Sequence, residues 1–137
     1  MNQSRTYEIG NDIAELNQLN SHLEQLAEDW NIPEKPLFQI NLAVDELVTN
    51  IINYGYEEGQ QKIILTFSLQ DDAVMIHIQD QGKAFNPLTM PEPDILEPAG
   101  KRKIGGLGIH LTKTMMDSIK YERSNETNNV TIIKKIR

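Results

Sequence analysis

Leu37, Ile40, Val44, Leu47, Val48 and Ile51 recur at spacings of three and four and place one apolar stripe along a helix. A stripe on one side must be buried against another layer, so this segment predicts a layered fold. The pattern stops near Tyr54-Gly55-Tyr56, where Gly55 suits a helix C-terminus. An earlier helix obeys the same rule. Asn11 or Asp12 caps it, Ile13, Leu16, Leu19, Leu23 and Leu26 form its stripe, and it ends near Trp30. Between the two helices, Asn31 to Pro36 is a break, because Pro33 and Pro36 cannot continue a helix.

The remaining chain changes rhythm. Lys62 to Leu69 (KIILTFSL) and Val74 to Gln79 (VMIHIQ) are β-like runs, joined as a hairpin by Gln70-Asp71-Asp72. Arg5 to Ile9 reads as an edge strand, and Ser118 to Arg123 and Val130 to Ile136 as a closing pair that turns at Asn128-Asn129. A third helix runs from about Leu107 to Asp117, with Ile109, Leu111, Met115 and Met116 as its apolar positions. Lys83 to Ile104 carries four of the six prolines and has no periodicity, which marks either a functional lid or a disordered loop. The order predicts an α+β fold, a two-layer α/β sandwich with helices on one face of a mixed, largely antiparallel sheet.

At 137 residues the chain fits a single domain spanning 1–137. With no cysteine, it has neither disulfides nor a thiolate nucleophile. Twenty acidic against 13 basic residues give a net charge of -7, which argues against direct binding to nucleic acid, since phosphate backbones require clustered Lys and Arg. No apolar run approaches a membrane span, and MNQSRTYEIGND lacks the pattern of a signal peptide, so a cytoplasmic location is expected.

Three short segments hold residue types suited to chemistry. On the second helix, Glu46 and Asn50 stand one turn apart. At ~100° per residue, Asn53 joins them within about 60° of arc, away from the apolar stripe. A carboxamide oxygen can ligate Mg²⁺ while the neighbouring carboxylate orients or deprotonates a nucleophile, although a solvated helix face shows the same pattern. Asp80-Gln81-Gly82-Lys83-Ala84-Phe85 follows a strand. Here Asp80 can accept from an exocyclic amine and Gly82 lets backbone approach a flat ring, but Asp and Gly also make ordinary turns. Gly105-Gly106-Leu107-Gly108 opens the third helix, and its amides suit a phosphate; a flexible hinge is the alternative. It is neither a P-loop nor a Rossmann fingerprint.

In this order the segments resemble the Bergerat-fold ATP-binding superfamily of gyrase, Hsp90, histidine kinases and MutL. Within it they are most similar to the small anti-sigma factor serine/threonine kinases of bacteria. Asp45 to Tyr56 resembles the N-box, Ile78 to Pro87 the first glycine box, and Gly106-Leu107-Gly108 with Met116-Asp117 the second. The resemblance implies that Glu46 is the general base and that Asn50 holds Mg²⁺. It implies ATP contacts at Asn50, Asn53, Asp80, Gly82, Phe85, Gly105, Gly106, Leu107 and Gly108, and an ATP lid over about 83–104. It further implies a homodimer that phosphorylates a STAS-domain anti-anti-sigma protein and sequesters a sigma factor. An ATP-binding switch without appreciable transfer is the alternative. His22, His77 and His110 lie in no phosphoacceptor context.

Overall fold

The computed structural model describes residues 3–55, 62–89 and 106–137. Strand β1 (Gln3–Gly10) leads into helices α1 (Ile13–Trp30) and α2 (Glu34–Asn50). The hairpin β2 (Lys62–Gln70) and β3 (Ala73–Asp80) follows, then helix α3 (Gly106–Met115) and the hairpin β4 (Ser118–Ser124) and β5 (Thr127–Lys135). The strands form one five-stranded sheet in the order β1-β2-β3-β5-β4. Among the described residues every pairing is antiparallel, where a mixed sheet was expected. β5 lies between β3 and β4, and the connection through α3 crosses over it.

Alternation along each strand decides which face is covered. Ile63, Leu65 and Phe67 of β2, Val74, Ile76 and Ile78 of β3, and Val130 and Ile132 of β5 are buried. They meet Leu19, Leu23 and Leu26 of α1 and Ile40, Val44, Leu47 and Val48 of α2 in one core. Full burial of each such side chain stabilises by roughly 1.5–3 kcal/mol. The opposite face of β3 and β5, with His77, Gln79, Asn129 and Thr131, carries polar groups. Not every helical apolar position points inward: Ile13 and Leu111, expected in the stripes, are 49% and 43% exposed.

Local chemistry sets the boundaries. The Asp12 carboxylate accepts from Ala14 N at 2.9 Å and caps α1. Asn31 ends that helix in the left-handed region (φ 54°, ψ 46°), and its N–H reaches the Ala27 and Glu28 carbonyls. The break at Asn31–Pro36 is shorter than expected, because α2 already starts at Glu34 with Pro33 as its cap. Pro36 is therefore the third helical residue, where a missing N–H costs nothing because the first turn has no partner for it.

The last hairpin also departs from expectation. Its turn is Asn125-Glu126, both at positive φ (53° and 63°), and not Asn128-Asn129. Two successive residues at positive φ match the twist of the flanking strands. Asn128 and Asn129 are strand residues that pair with Arg123 and Glu122. Among the described residues no helix is long and apolar enough to cross a membrane.

Candidate functional site

Glu46 and Asn50 sit on the last turns of α2, and the Asn50 amide donates to Glu46 Oε1 at 3.3 Å. Burial pushes the Glu46 carboxyl up from its ordinary value, and the Asn50 hydrogen bond opposes that rise. Asn50 itself is only 3% exposed, so this edge of the helix is not a solvated face. Directly after Asn50 the backbone widens into a π-helical turn, Ile51–Gly55. The α-helical angle per residue no longer applies there. Asn53, within that turn, is exposed.

α3 packs beside α2, and its third residue, Gly108, faces the Glu46 carboxylate. A Cβ on Gly108 would collide with Cδ and both oxygens of Glu46. Glycine here lets the Glu46 carboxylate lie directly against the helix backbone. Gly106 is the first residue of α3 and Leu107 the second, while Gly105 and the 90–104 part of the expected lid lie outside the described residues.

The far wall is built from the end of β3. Asp80 is 4% exposed, and its Oδ1 accepts from Gly82 N at 2.9 Å and from Asn128 Nδ2 at 3.1 Å. The first bond is the Asx turn expected of an Asp-x-Gly segment. The second was not legible as such, because Asn128 looked like a turn residue. Its phase with Val130 and Ile132 was the available signal that it points inward. Asn128 Nδ2 also donates to Lys83 O at 2.7 Å, and its Oδ1 accepts from Tyr121 OH at 2.5 Å and Arg123 Nη1 at 3.0 Å. Arg123 Nη1 further donates to Gly82 O at 3.0 Å.

The two walls meet at a cavity lined by Leu47, Asn50, Ile51, Asp80, Phe85, Pro87, Asn128 and Val130. It joins Asn50 from the second helix to Asp80 and Phe85 from the segment after β3, while Asn53 is not among its lining residues. Its free space of about 10 Å³ is the scale of one water, far below the ~300 Å³ lower end for small-molecule pockets. Phe85 and Pro87 stand on the wall opposite Asn50. A wider groove of about 590 Å³ lies on the polar face of the sheet, around His77, Gln79, Lys120 and Glu122. It contains none of the candidate residues. His77 Nε2 lies 2.9 Å from Asn129 Oδ1 there, and His22 stacks on Tyr7 with ring centroids 4.9 Å apart.

A largely apolar slot ending in a buried carboxylate suits a flat heterocycle carrying an amino group. A carboxamide beside a carboxylate, approached by a helix opening that excludes a Cβ, suits a magnesium-bound phosphate.

Comparison with known proteins identifies the family. Residues 9–134 match the family model described as the histidine kinase-like ATPase domain. The serine-protein kinase RsbW of Bacillus mycoides is 33% identical over 84 residues, 58% of this chain and 52% of that protein. The serine/threonine-protein kinase BtrW of Bordetella bronchiseptica is 28% identical over 96 residues, 69% of this chain and 68% of that protein. The chain thus spans about half the length of the RsbW relatives it matches. Among solved structures, the RsbU and RsbW domains of Rv1364c from Mycobacterium tuberculosis superpose with a TM-score of 0.68 at 14% identity, covering 96% of this chain and 32% of that one. From residue 9 to residue 134, this chain belongs to the histidine kinase-like ATPase domain family.

Proposed function

We propose that the chain is an ATP-dependent protein-serine/threonine kinase that also acts as an anti-sigma factor. The observation that carries this reading is the cavity that joins Asn50 to Asp80, with Glu46 outside its lining but hydrogen-bonded to Asn50. The similarity to proteins named serine-protein kinase supports it.

The bound magnesium nucleotide supplies the transferable phosphoryl group and a cation that spreads its charge. Asn50 is the side chain that would hold the cation, a role that needs only one or two protein oxygens when phosphates complete the shell. Asp80 orients the base by accepting from its amino group, with Gly82 leaving room beside the ring. Gly106 and Gly108 offer amides to the phosphates from the start of α3.

Glu46 accepts the proton of the incoming seryl hydroxyl. Its raised affinity for a proton, caused by burial, makes it a better base than an ordinary surface carboxylate. Phe85 and Pro87, on the wall of the cavity, exclude water once the nucleotide is seated. The acceptor is a serine on a STAS-domain anti-anti-sigma protein. The sequestered partner is a sigma factor, held by a cytoplasmic homodimer.

Incubation with labelled ATP, Mg²⁺ and candidate STAS proteins tests the reading. Wild type should label an acceptor, and Glu46→Ala should bind ATP without labelling it. Tight ATP binding with no labelled acceptor would favour a nucleotide-dependent switch without transfer. Transfer by Glu46→Ala at the wild-type rate would remove Glu46 from its role as base.

A further inference from the structure

We infer that Asn128 is a positioning residue that sets base selectivity, by locking the Asp80 carboxylate and tethering the adjoining loop to the same point. The inference rests on the reading of Asp80 as the acceptor for the base's amino group.

Asn128 is 3% exposed, and its carboxamide makes four hydrogen bonds: two donated, to Asp80 Oδ1 and Lys83 O, and two accepted, from Tyr121 and Arg123. Both groups on its oxygen side are donors, which fixes the amide orientation and aims Nδ2 at Asp80. A carboxamide with all its capacity used inside a low-dielectric site resists rotation far more than a single hydrogen bond would.

The consequence falls on Asp80. The bonds from Gly82 N and Asn128 Nδ2 converge on one oxygen, Oδ1. Neither uses Oδ2, which becomes the acceptor for a ligand donor. A carboxylate held this way attracts an exocyclic amine and repels a carbonyl at the same position, so it prefers a 6-amino purine over a 6-oxo purine. Without Asn128 the carboxylate keeps one tether and turns more freely.

The same carboxamide holds Lys83 O, while Arg123 holds Gly82 O. Phe85 and Pro87, two and four residues beyond Lys83, wall the cavity. Base reading and the root of the loop therefore share a hub supplied by β4 and β5.

Calorimetry on the full chain with Mg²⁺, using ATP, GTP and the 6-desamino analogue purine riboside triphosphate, tests the inference. Wild type should bind ATP about 10- to 100-fold more tightly than the analogue, the span of one charge-assisted hydrogen bond. In Asn128→Ala that ratio should shrink to about threefold or less, through weaker ATP binding at nearly constant analogue affinity. Tyr121→Phe, which keeps the donors of Asn128 but loosens its orientation, should fall between the two and covers the case in which Asn128→Ala fails to fold. In the nucleotide-free protein, either change should speed hydrogen exchange at the Gly82 amide. A wild type that binds no ATP would overturn the site assignment itself. A wild type that discriminates, with variants that discriminate equally well, would overturn only the role of Asn128.

Discussion

The contact between Gly108 and Glu46 invites the sharpest test, because one methyl group separates stability from catalysis. In Gly108→Ala the new Cβ would lie within 3.0 Å of all three atoms of the Glu46 carboxylate, so that carboxylate has to move. The backbone is not the obstacle; the obstacle is the end of a flexible side chain. Swinging it aside costs about 0.5–1.5 kcal/mol in rotamer strain, and losing its hydrogen bond from Asn50 costs about 0.5–1.5 kcal/mol. Alanine returns up to ~1 kcal/mol in helix propensity. The net expected loss is about 0–3 kcal/mol, readable as a drop of a few degrees in Tm. Phosphoryl transfer should fall about 100-fold or more, because a general base displaced by an ångström loses most of its advantage. A double-mutant cycle isolates the cause. In a Glu46→Ala background the clash is gone, and Gly108→Ala should become neutral or stabilising, giving a coupling of about 1–3 kcal/mol between the two sites. Strict additivity of the two substitutions in chemical denaturation would refute the argument.

Glu46 also carries a pH signature. Burial raises its pKa in the folded state, so the folded protein holds that proton more tightly than the unfolded chain does. Its effect on stability is therefore most favourable below the unfolded carboxylate pKa and is lost as pH rises through the folded one. Glu46→Gln cannot ionise, so its Tm should gain on wild type between pH 4 and pH 7; a difference that shrinks with rising pH would contradict the sign. At the end of α1, Asn31→Val should cost about 1–2 kcal/mol, because a β-branched residue is forced into a left-handed backbone that Asn tolerates. Urea denaturation checks it, and an unchanged midpoint would mean that the cap relaxes at no cost.

Regular elements were legible wherever one physical rule acted alone. The stripe of α2 has to face a layer, and the alternation in β2 and β3 has to present Ile63, Leu65, Ile76 and Ile78 to it. Glu46 and Asn50 lie within the regular part of α2, so their one-turn spacing survived in the structure as a hydrogen bond. The difficulties begin where two rules compete. Asn128 and Asn129 have the composition of a turn, yet the turn moved to Asn125-Glu126 because the strand could satisfy a buried Asn128 with four hydrogen bonds. Composition records what a residue prefers in isolation, whereas those four partners come from β3, β4 and the loop between β3 and α3. None of them is local to Asn128 except the residues of its own hairpin.

Asn53 marks the other kind of limit. Its expected position followed from continuing the α-helix past Asn50, and the π-helical turn at Ile51–Gly55 altered the angle by which each residue advances. A π turn replaces the α-helical hydrogen bonds with i→i+5 bonds, and such turns are frequent at functional sites. Here the widening begins at the residue after Asn50, and Ile51, its first residue, lines the Asp80 cavity together with Asn50. The departure from periodicity and the edge of the cavity therefore coincide, as expected where local regularity yields to the geometry of a site. Period counting cannot anticipate that step, since the residues that complete the cavity with Ile51, among them Asp80, Asn128 and Val130, come from β3 and β5.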